Sequence, residues 1–460
     1  MMAIGTSWIS DWNPEDQKFW ESKGKFIARR NLIWSIFAEH LGFSIWLIWS
    51  IVATKLPQAG FHYTTDQLFQ LVALPGLIGS LMRFPYTFAV VTFGGRNWTI
   101  FSASVLFIPV LALSYFVTKP DTPFWLMLLV AATAGLGGGN FASSMTNISF
   151  FYPDRMKGWA LGLNAAGGNI GVSSVQLLTP ILLGVGFINL YLGVPSSGGS
   201  YLQNAGLMWL LPLTIALCGA IFFMNNLATA RSTLRDQLAI VGRKHTWIMS
   251  YIYIGTFGSF IGYSAAFPLL IKTQFPEVTI GIAFLGPLVG SLSRPLGGLL
   301  ADKVGGAIVT FWNFIAMGAA TLGVIYFIET KEFAGFLAMF LIVFITTGVG
   351  NGSTYRMIPS IFREEKLREA TAGEMAKSLA LKAASIESGA ALGFIGAIGA
   401  CGGYLIPRGF GASIAATGGP YLALEIYLTF YATCLVLTWW YYLRKAPLTS
   451  GAPSLAQARV

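Results

Sequence analysis

Long apolar stretches recur along the whole chain, at 31–54, 67–93, 98–117, 123–149, 157–185, 205–227, 246–271, 279–301, 307–328, 334–361, 378–406 and 421–443, with short polar breaks between them. A hydrocarbon core about 30 Å thick is crossed by roughly 20 residues at 1.5 Å rise each, so every stretch is long enough to span it as a helix. Composition agrees: 55% of the 460 residues are apolar and only 10% are charged, too little polar surface to cover a water-soluble globule. The expected class is an all-α membrane protein of twelve transmembrane helices, embedded in the lipid bilayer.

The polar breaks divide the helices into two groups of six. The expected organisation is a cytoplasmic tail over 1–30, a six-helix bundle over 31–227, a cytoplasmic linker over 228–245, a second bundle over 246–443 and a cytoplasmic tail over 444–460. A Gly/Ser/Pro-containing loop runs from Gly186 to Gln203. The segment before the first helix is polar and has no short apolar core or cleavage site, so the first helix reads as an anchor and not as a signal peptide. Cys218, Cys401 and Cys434 lie in separate apolar helices without metal or redox spacing, and read as small core residues.

A net charge of +10 invites a polyanionic partner, but its placement points elsewhere. With the N-terminus in the cytoplasm, most of the 29 Lys and Arg fall in the tails and cytoplasmic loops, against Lys55, Lys119, Lys272, Lys331 and Arg408 in outer loops. That asymmetry is the positive-inside rule. It puts both termini in the cytoplasm and explains the basicity without nucleic acid.

The chain also repeats itself. LPGLIGSLMR from Leu74 returns as LGPLVGSLSR from Leu285, 211 residues on, aligning Arg83 with Arg294. TAGLGGGNFASS from Thr133 returns as TTGVGNGSTYR from Thr346, 213 residues on. The fifth and eleventh helices share a glycine load, Gly162, Gly167, Gly168 and Gly171 in one and Gly389, Gly393, Gly396, Gly399, Gly402 and Gly403 in the other, which suits close helix packing. Parallel duplication of a six-helix unit implies two halves related by a pseudo-twofold axis along the membrane normal, a plan that resembles the major facilitator superfamily. GGLLADKVGG from Gly297 resembles that superfamily's cytoplasmic loop motif, while the matching first-half loop, Phe93-Gly94-Gly95-Arg96, lacks the aspartate.

Arg83 sits about ten residues from the cytoplasmic end of its helix, roughly 15 Å deep, and Arg294 at a similar depth. An arginine there costs at least about 2.5–3.5 kcal/mol, and neither helix supplies an acid within a turn or two. Repeat symmetry brings both toward one axis, where guanidinium forks offer planar, bidentate hydrogen bonding to an anion. The surroundings lack a carboxylate cluster for a cation and abundant Asn or Gln for a sugar, and glycine runs favour a narrow cavity. A small, planar, singly charged oxyanion fits best.

AGLGGGNFASSMTNISFFYPDR (134–155), ALGLNAAGGNIGV (160–172) and GSLSRPLGG (290–298) closely resemble the NarK-type family of nitrate/nitrite transporters, and DWNPEDQKFW, TTDQLFQLVALP and KTQFPEV extend the likeness over nearly the whole chain. The resemblance implies that Arg83 and Arg294 clamp the substrate, that Asn169 is the motif asparagine of the fifth helix, and that Phe141, Tyr253 and Phe257 sandwich or bond the anion. Ordinary helix packing is the competing reading for the three aromatics. Tyr253 and Phe257, four apart, share a helix face.

Familiar exchangers of this family lack the ionisable pair that Glu39 and His40 form in the first helix, and Arg356 is a third intramembrane arginine. Glu39 and His40 lie roughly 13 Å in from Arg30 and point about 100° apart. Arg356 lies roughly 10 Å from the cytoplasmic end of the tenth helix. Matching depth and opposite charge suggest a gate in which Glu39 pairs with Arg356, with a snorkelling Arg356 as the alternative. His62 and His245, at loops or helix ends, are expected to be solvated, and Glu387 interfacial.

No nucleophile with a base, catalytic carboxylate pair or metal-ligand cluster converges in the membrane, so the chain is not read as an enzyme and no cofactor or metal is expected. Two fixed positive charges repel closure when empty, so a loaded site closes more readily. The expected function is therefore alternating-access nitrate uptake in exchange for nitrite across a bacterial cytoplasmic membrane, by a monomer. Proton-coupled symport through Glu39 or His40 is the alternative, and a nitrate-binding sensor a third reading.

Overall fold

The computed structural model describes residues 8–185, 200–229, 239–369 and 374–444, together with Leu455 and Val460. Most of the expected loop 186–203, the linker 228–245 and the tail 444–460 lies outside the described residues. Among the described residues, eleven helices are long and apolar enough to cross a bilayer: α1 (Gln17–Lys55), α2 (Thr65–Phe93), α3 (Gly95–Phe116), α4 (Phe124–Phe151), α6 (Asn204–Phe223), α7 (Lys244–Gln274), α8 (Ile280–Val304), α9 (Gly306–Glu329), α10 (Phe333–Glu369), α11 (Glu387–Thr417) and α12 (Tyr421–Leu443). The remaining one, α5 (Asp154–Leu182), is 29 residues long. Its hydropathy is lowered by Asn164, Asn169, Gln176 and several glycines, all but a few of them on buried faces.

The α11 segment ends later than its apolar pattern suggests. It resumes after Cys401 as Gly402–Thr417, so Arg408 sits in a helix and not in the expected outer loop. Cys218 also departs from expectation: it is exposed on the outside of α6, while Cys434 is buried. An apolar helix facing lipid has no need to bury its small residues.

The chain forms two compact units. One comprises Met1–Arg231 with Ser264–Pro287, the other Ser232–Tyr263 with Leu288–Val460. In the first, a short arm precedes α1. Trp8–Ile9 (β1) pairs in parallel with Asn226–Leu227 (β2), the Trp12 indole donates to the Phe150 carbonyl at 3.1 Å, and Glu15 accepts from the Asp154 backbone N–H at 2.7 Å. The arm thus ties the ends of α4, α5 and α6 before the chain enters α1.

The duplication is visible in the backbone of each half. α2 begins with a capping box, Thr64 accepting from the Gln67 backbone N–H while Gln67 accepts from that of Thr64. It ends at Gly94 with φ +88°, and α8 ends at Gly305 with φ +101°. These glycines stand 211 residues apart, the Arg83–Arg294 spacing, and both adopt the left-handed backbone that glycine tolerates.

Helix approach is also duplicated. A Cβ on Gly138 would lie 2.6 Å from the Gly79 Cα, joining α4 to α2. One on Gly348 would lie 2.1 Å from the Gly290 carbonyl, joining α10 to α8. Gly167, Gly168 and Gly171 bring α5 against Ile36, Glu39 and His40 of α1, and Gly399 packs on Tyr253. Gly396 and Gly403 are buried and Gly393 half-buried. Gly162 is corrected: it is exposed, with nothing within 4 Å of where a Cβ would stand, so it packs against no helix.

Candidate anion site

Arg83 is 0% exposed in α2, so it neither faces lipid nor snorkels. Its Nε donates to the Gly138 carbonyl at 3.1 Å. The guanidinium carbon lies 4.7 Å from the Phe141 ring centroid and 5.3 Å from that of Trp46. Trp46 is held in turn by its indole N–H, which donates to the Pro75 carbonyl at 2.7 Å. A cation set against two ring faces and bonded to a carbonyl is held in one orientation.

The α4 backbone makes this possible. Gly135–Gly139 narrows to 3₁₀ geometry, letting α4 approach α2 and presenting the Gly138 carbonyl. The tighter winding adds roughly 20° per residue, or about 100° over the glycine run, the rotation of one α-helical residue. Phe141 is thereby turned toward Arg83.

In the other half Arg294 is 6% exposed in α8. Its guanidinium carbon lies 5.3 Å from the Tyr355 ring centroid. Tyr355 lies 6.1 Å from the Tyr253 ring, which stacks on Phe257 at 5.3 Å with 18° between planes. The Tyr253 hydroxyl donates to Asn351 Oδ1 at 2.7 Å. Helix α7 widens to π geometry over Ile254–Gly258, directly after Tyr253 and including Phe257, a local irregularity frequent at functional positions.

Sequence reasoning missed Trp46, Tyr355 and Asn351. Tyr355 had a signal: it follows Phe141 by 214 residues, one more than the 213-residue offset of its repeat. The 3₁₀ run in α4 accounts for that slip, since α10 is continuous α-helix over its counterpart. Each half thus sets an aromatic ring from its fourth helix against an arginine from its second.

Asn169, on α5, is 1% exposed, and neither its amide oxygen nor its amide nitrogen has a hydrogen-bond partner among the described residues. Burying an amide unsatisfied at both ends costs about 1–3 kcal/mol for each group, so the position calls for a polar occupant.

Glu39 is also fully buried and accepts from Asn164 Nδ2 at 2.7 Å. Asn164 Nδ2 lies 2.6 Å from Ser144 Oγ, which meets Ser35 Oγ at 2.9 Å. His40 turns a different way, its Nδ1 3.0 Å from the Gly167 carbonyl, an acceptor that requires the proton on Nδ1. Arg356 forms an ion pair with Asp302, with both side chains about half exposed. Glu39 and Arg356 therefore each have a partner within their own half.

A set of charges that sequence reasoning left without a role gathers at the ends of α7, α10 and α11. Arg243 pairs with Glu369 and, at 3.1 Å, with Glu387. Lys366 bridges Glu369 and Glu387 at 3.0 and 2.9 Å. The hydrogen bond that Arg243 donates to Glu369 raises the Arg243 pKa above its usual range. His245 is corrected: expected to be solvated, it is 3% exposed, with Nδ1 2.9 Å from the Tyr442 hydroxyl.

Residues 32–373 match the family model described as Major Facilitator Superfamily. The chain is 45% identical over 450 residues to the nitrate/nitrite transporter NarU of Salmonella typhimurium, covering 95% of this chain and 97% of that one. The chain belongs to the nitrate/nitrite transporter family of the major facilitator superfamily. It is also 38% identical over 461 residues to a probable nitrate/nitrite antiporter, NarK2, of Thermus thermophilus, covering 96% and 98% of the two chains. Among solved structures, a D-xylose-proton symporter matches with a TM-score of 0.64 at 15% identity, covering 89% of this chain and 96% of that one. That likeness speaks for the fold alone. Membership in this family makes the protein a multi-pass membrane transporter and not an enzyme.

Proposed function

We propose that the protein moves nitrate and nitrite across the bacterial cytoplasmic membrane by alternating access, with Arg83 and Arg294 as its substrate-binding arginines, in a cycle that exchanges nitrate for nitrite. The observation that carries this reading is the pair of buried arginines at equivalent positions of the two repeats, each set against the ring of an aromatic residue. A guanidinium fork matches two oxygens of a planar oxyanion, and the flanking rings exclude water that would compete for it. Asn169 on α5, with Phe141 in the same half and Tyr253 and Phe257 in the other, are the further substrate-binding residues of this reading. The names of the relatives support the substrate class.

In this reading the halves are the segments 31–227 and 246–443, joined by the linker 228–245, both termini are cytoplasmic, and the working unit is a monomer. Arg356 acts at the cytoplasmic side through Asp302. In this cycle a bound anion offsets the positive charge of the arginines, so a loaded carrier reorients more readily than an empty one.

A second reading, nitrate/proton symport, draws on the burial of Glu39 in a network of Asn164, Ser144 and Ser35. A carboxyl held there can carry a proton. Counterflow in proteoliposomes separates the two. Nitrite trapped inside is expected to accelerate nitrate entry at zero proton gradient, and Glu39→Gln to leave that acceleration in place. Uptake driven equally well by an inward proton gradient alone, and lost in Glu39→Gln, would replace exchange by symport.

A further inference from the structure

One buried donor in the C-terminal half has no role in the site as described. Asn351 lies on α10 at 0% exposure, and its Nδ2 has no hydrogen-bond partner among the described residues. Its Oδ1 accepts from the Tyr253 hydroxyl, which turns the amide N–H groups away from the tyrosine. A neutral donor kept from water without an acceptor bears its full desolvation cost, and such groups in native structures mark an ion, a water or a ligand.

The surroundings favour the ligand. Asn351 and Tyr355 are four residues apart and share one face of α10. Tyr355 carries the Arg294 guanidinium on its ring and neighbours Tyr253. Gly352, beside Asn351, has no room for a side chain, because a Cβ would lie 2.1 Å from the Arg294 carbonyl. Arg294, Tyr355, Tyr253 and Asn351 are therefore one contiguous group contributed by α7, α8 and α10.

We infer that Asn351 is a substrate-binding residue that sets the preference between nitrate and nitrite, its Nδ2 donating to an oxygen the Arg294 fork leaves over. Both anions can fill the two arms of a fork with two oxygens. Only nitrate has a third oxygen in the same plane, and a neutral donor at that position favours nitrate without adding charge that would hold either anion too tightly. The inference rests on the anion-site reading above.

The test uses the full-length protein in proteoliposomes, with KM for nitrate and for nitrite measured by counterflow on wild type, Asn351→Ala, Asn351→Ser and Arg294→Lys. Asn351→Ala is expected to raise the nitrate KM about tenfold, the effect of losing one hydrogen bond to a charged partner, and the nitrite KM by less than about threefold. Asn351→Ser, which keeps a small donor, should fall between wild type and alanine and retain the same selectivity in its shift; it also serves if the alanine variant does not fold. Equal shifts for the two anions, or none, while Arg294→Lys weakens both, would overturn the role of Asn351 alone. If Arg294→Lys also leaves both KM values unchanged, the arginine site itself is wrong.

Discussion

Arginine rather than lysine at 83 and 294 follows from what surrounds each position. The Arg83 guanidinium is packed against Phe141 and Trp46 while its Nε is committed to the Gly138 carbonyl. A planar delocalised cation can stack and bond in two directions at once, whereas an ammonium is a compact, strongly hydrated point charge. Arg83→Lys is therefore expected to fold and to bind nitrate more than tenfold more weakly, since a hydrogen bond to a charged group contributes about 1.5–3 kcal/mol. The measurement is the rise in melting temperature on adding nitrate, which the variant should largely lose while its melting temperature without nitrate stays near wild type. Glu39 raises a different residue-scale question: its carboxyl is buried beside Asn164, and the first helix alone gave no hint of that partner, 125 residues away.

Glycine acts at the scale of helices, and its effect depends on which face it occupies. A Cβ on Gly137 would lie 2.3 Å from the Gly42 carbonyl, where α4 crosses α1, while Gly162 faces open space on α5. Gly137→Val is expected to destabilise the protein by about 1–3 kcal/mol or more through forced separation of the helices. Gly162→Ala should be neutral or stabilising by up to about 1 kcal/mol through helix propensity. Thermal unfolding of the purified variants, scored against wild type, checks the contrast. Sequence reasoning grouped Gly162 with Gly167, Gly168 and Gly171 because composition does not record the direction each faces. The one-residue slip between Phe141 and Tyr355 has the same origin: a short 3₁₀ run rotates everything beyond it, and only the wound backbone reveals it.

For the whole molecule, the charge distribution predicts the topology. Lys and Arg concentrate in the tails and alternate loops, so a reporter fused to either end is expected on the cytoplasmic side, as an alkaline phosphatase and fluorescent protein pair would read out. A periplasmic signal from either fusion would reverse the assignment of inner and outer faces. The repeated apolar stretches, the 211-residue duplication and the correspondence of Arg83 with Arg294 within it were all legible in the chain, because a bilayer penalises polar residues and so writes each span and its exceptions directly into composition. Partnership was not legible. That Tyr355 lies against Arg294, that Asn351 meets Tyr253 and that His245 is buried against Tyr442 depend on helices distant in sequence being brought to within a few ångströms. Those approaches are set by which glycine faces which carbonyl, a three-dimensional relation that no single helix pattern contains.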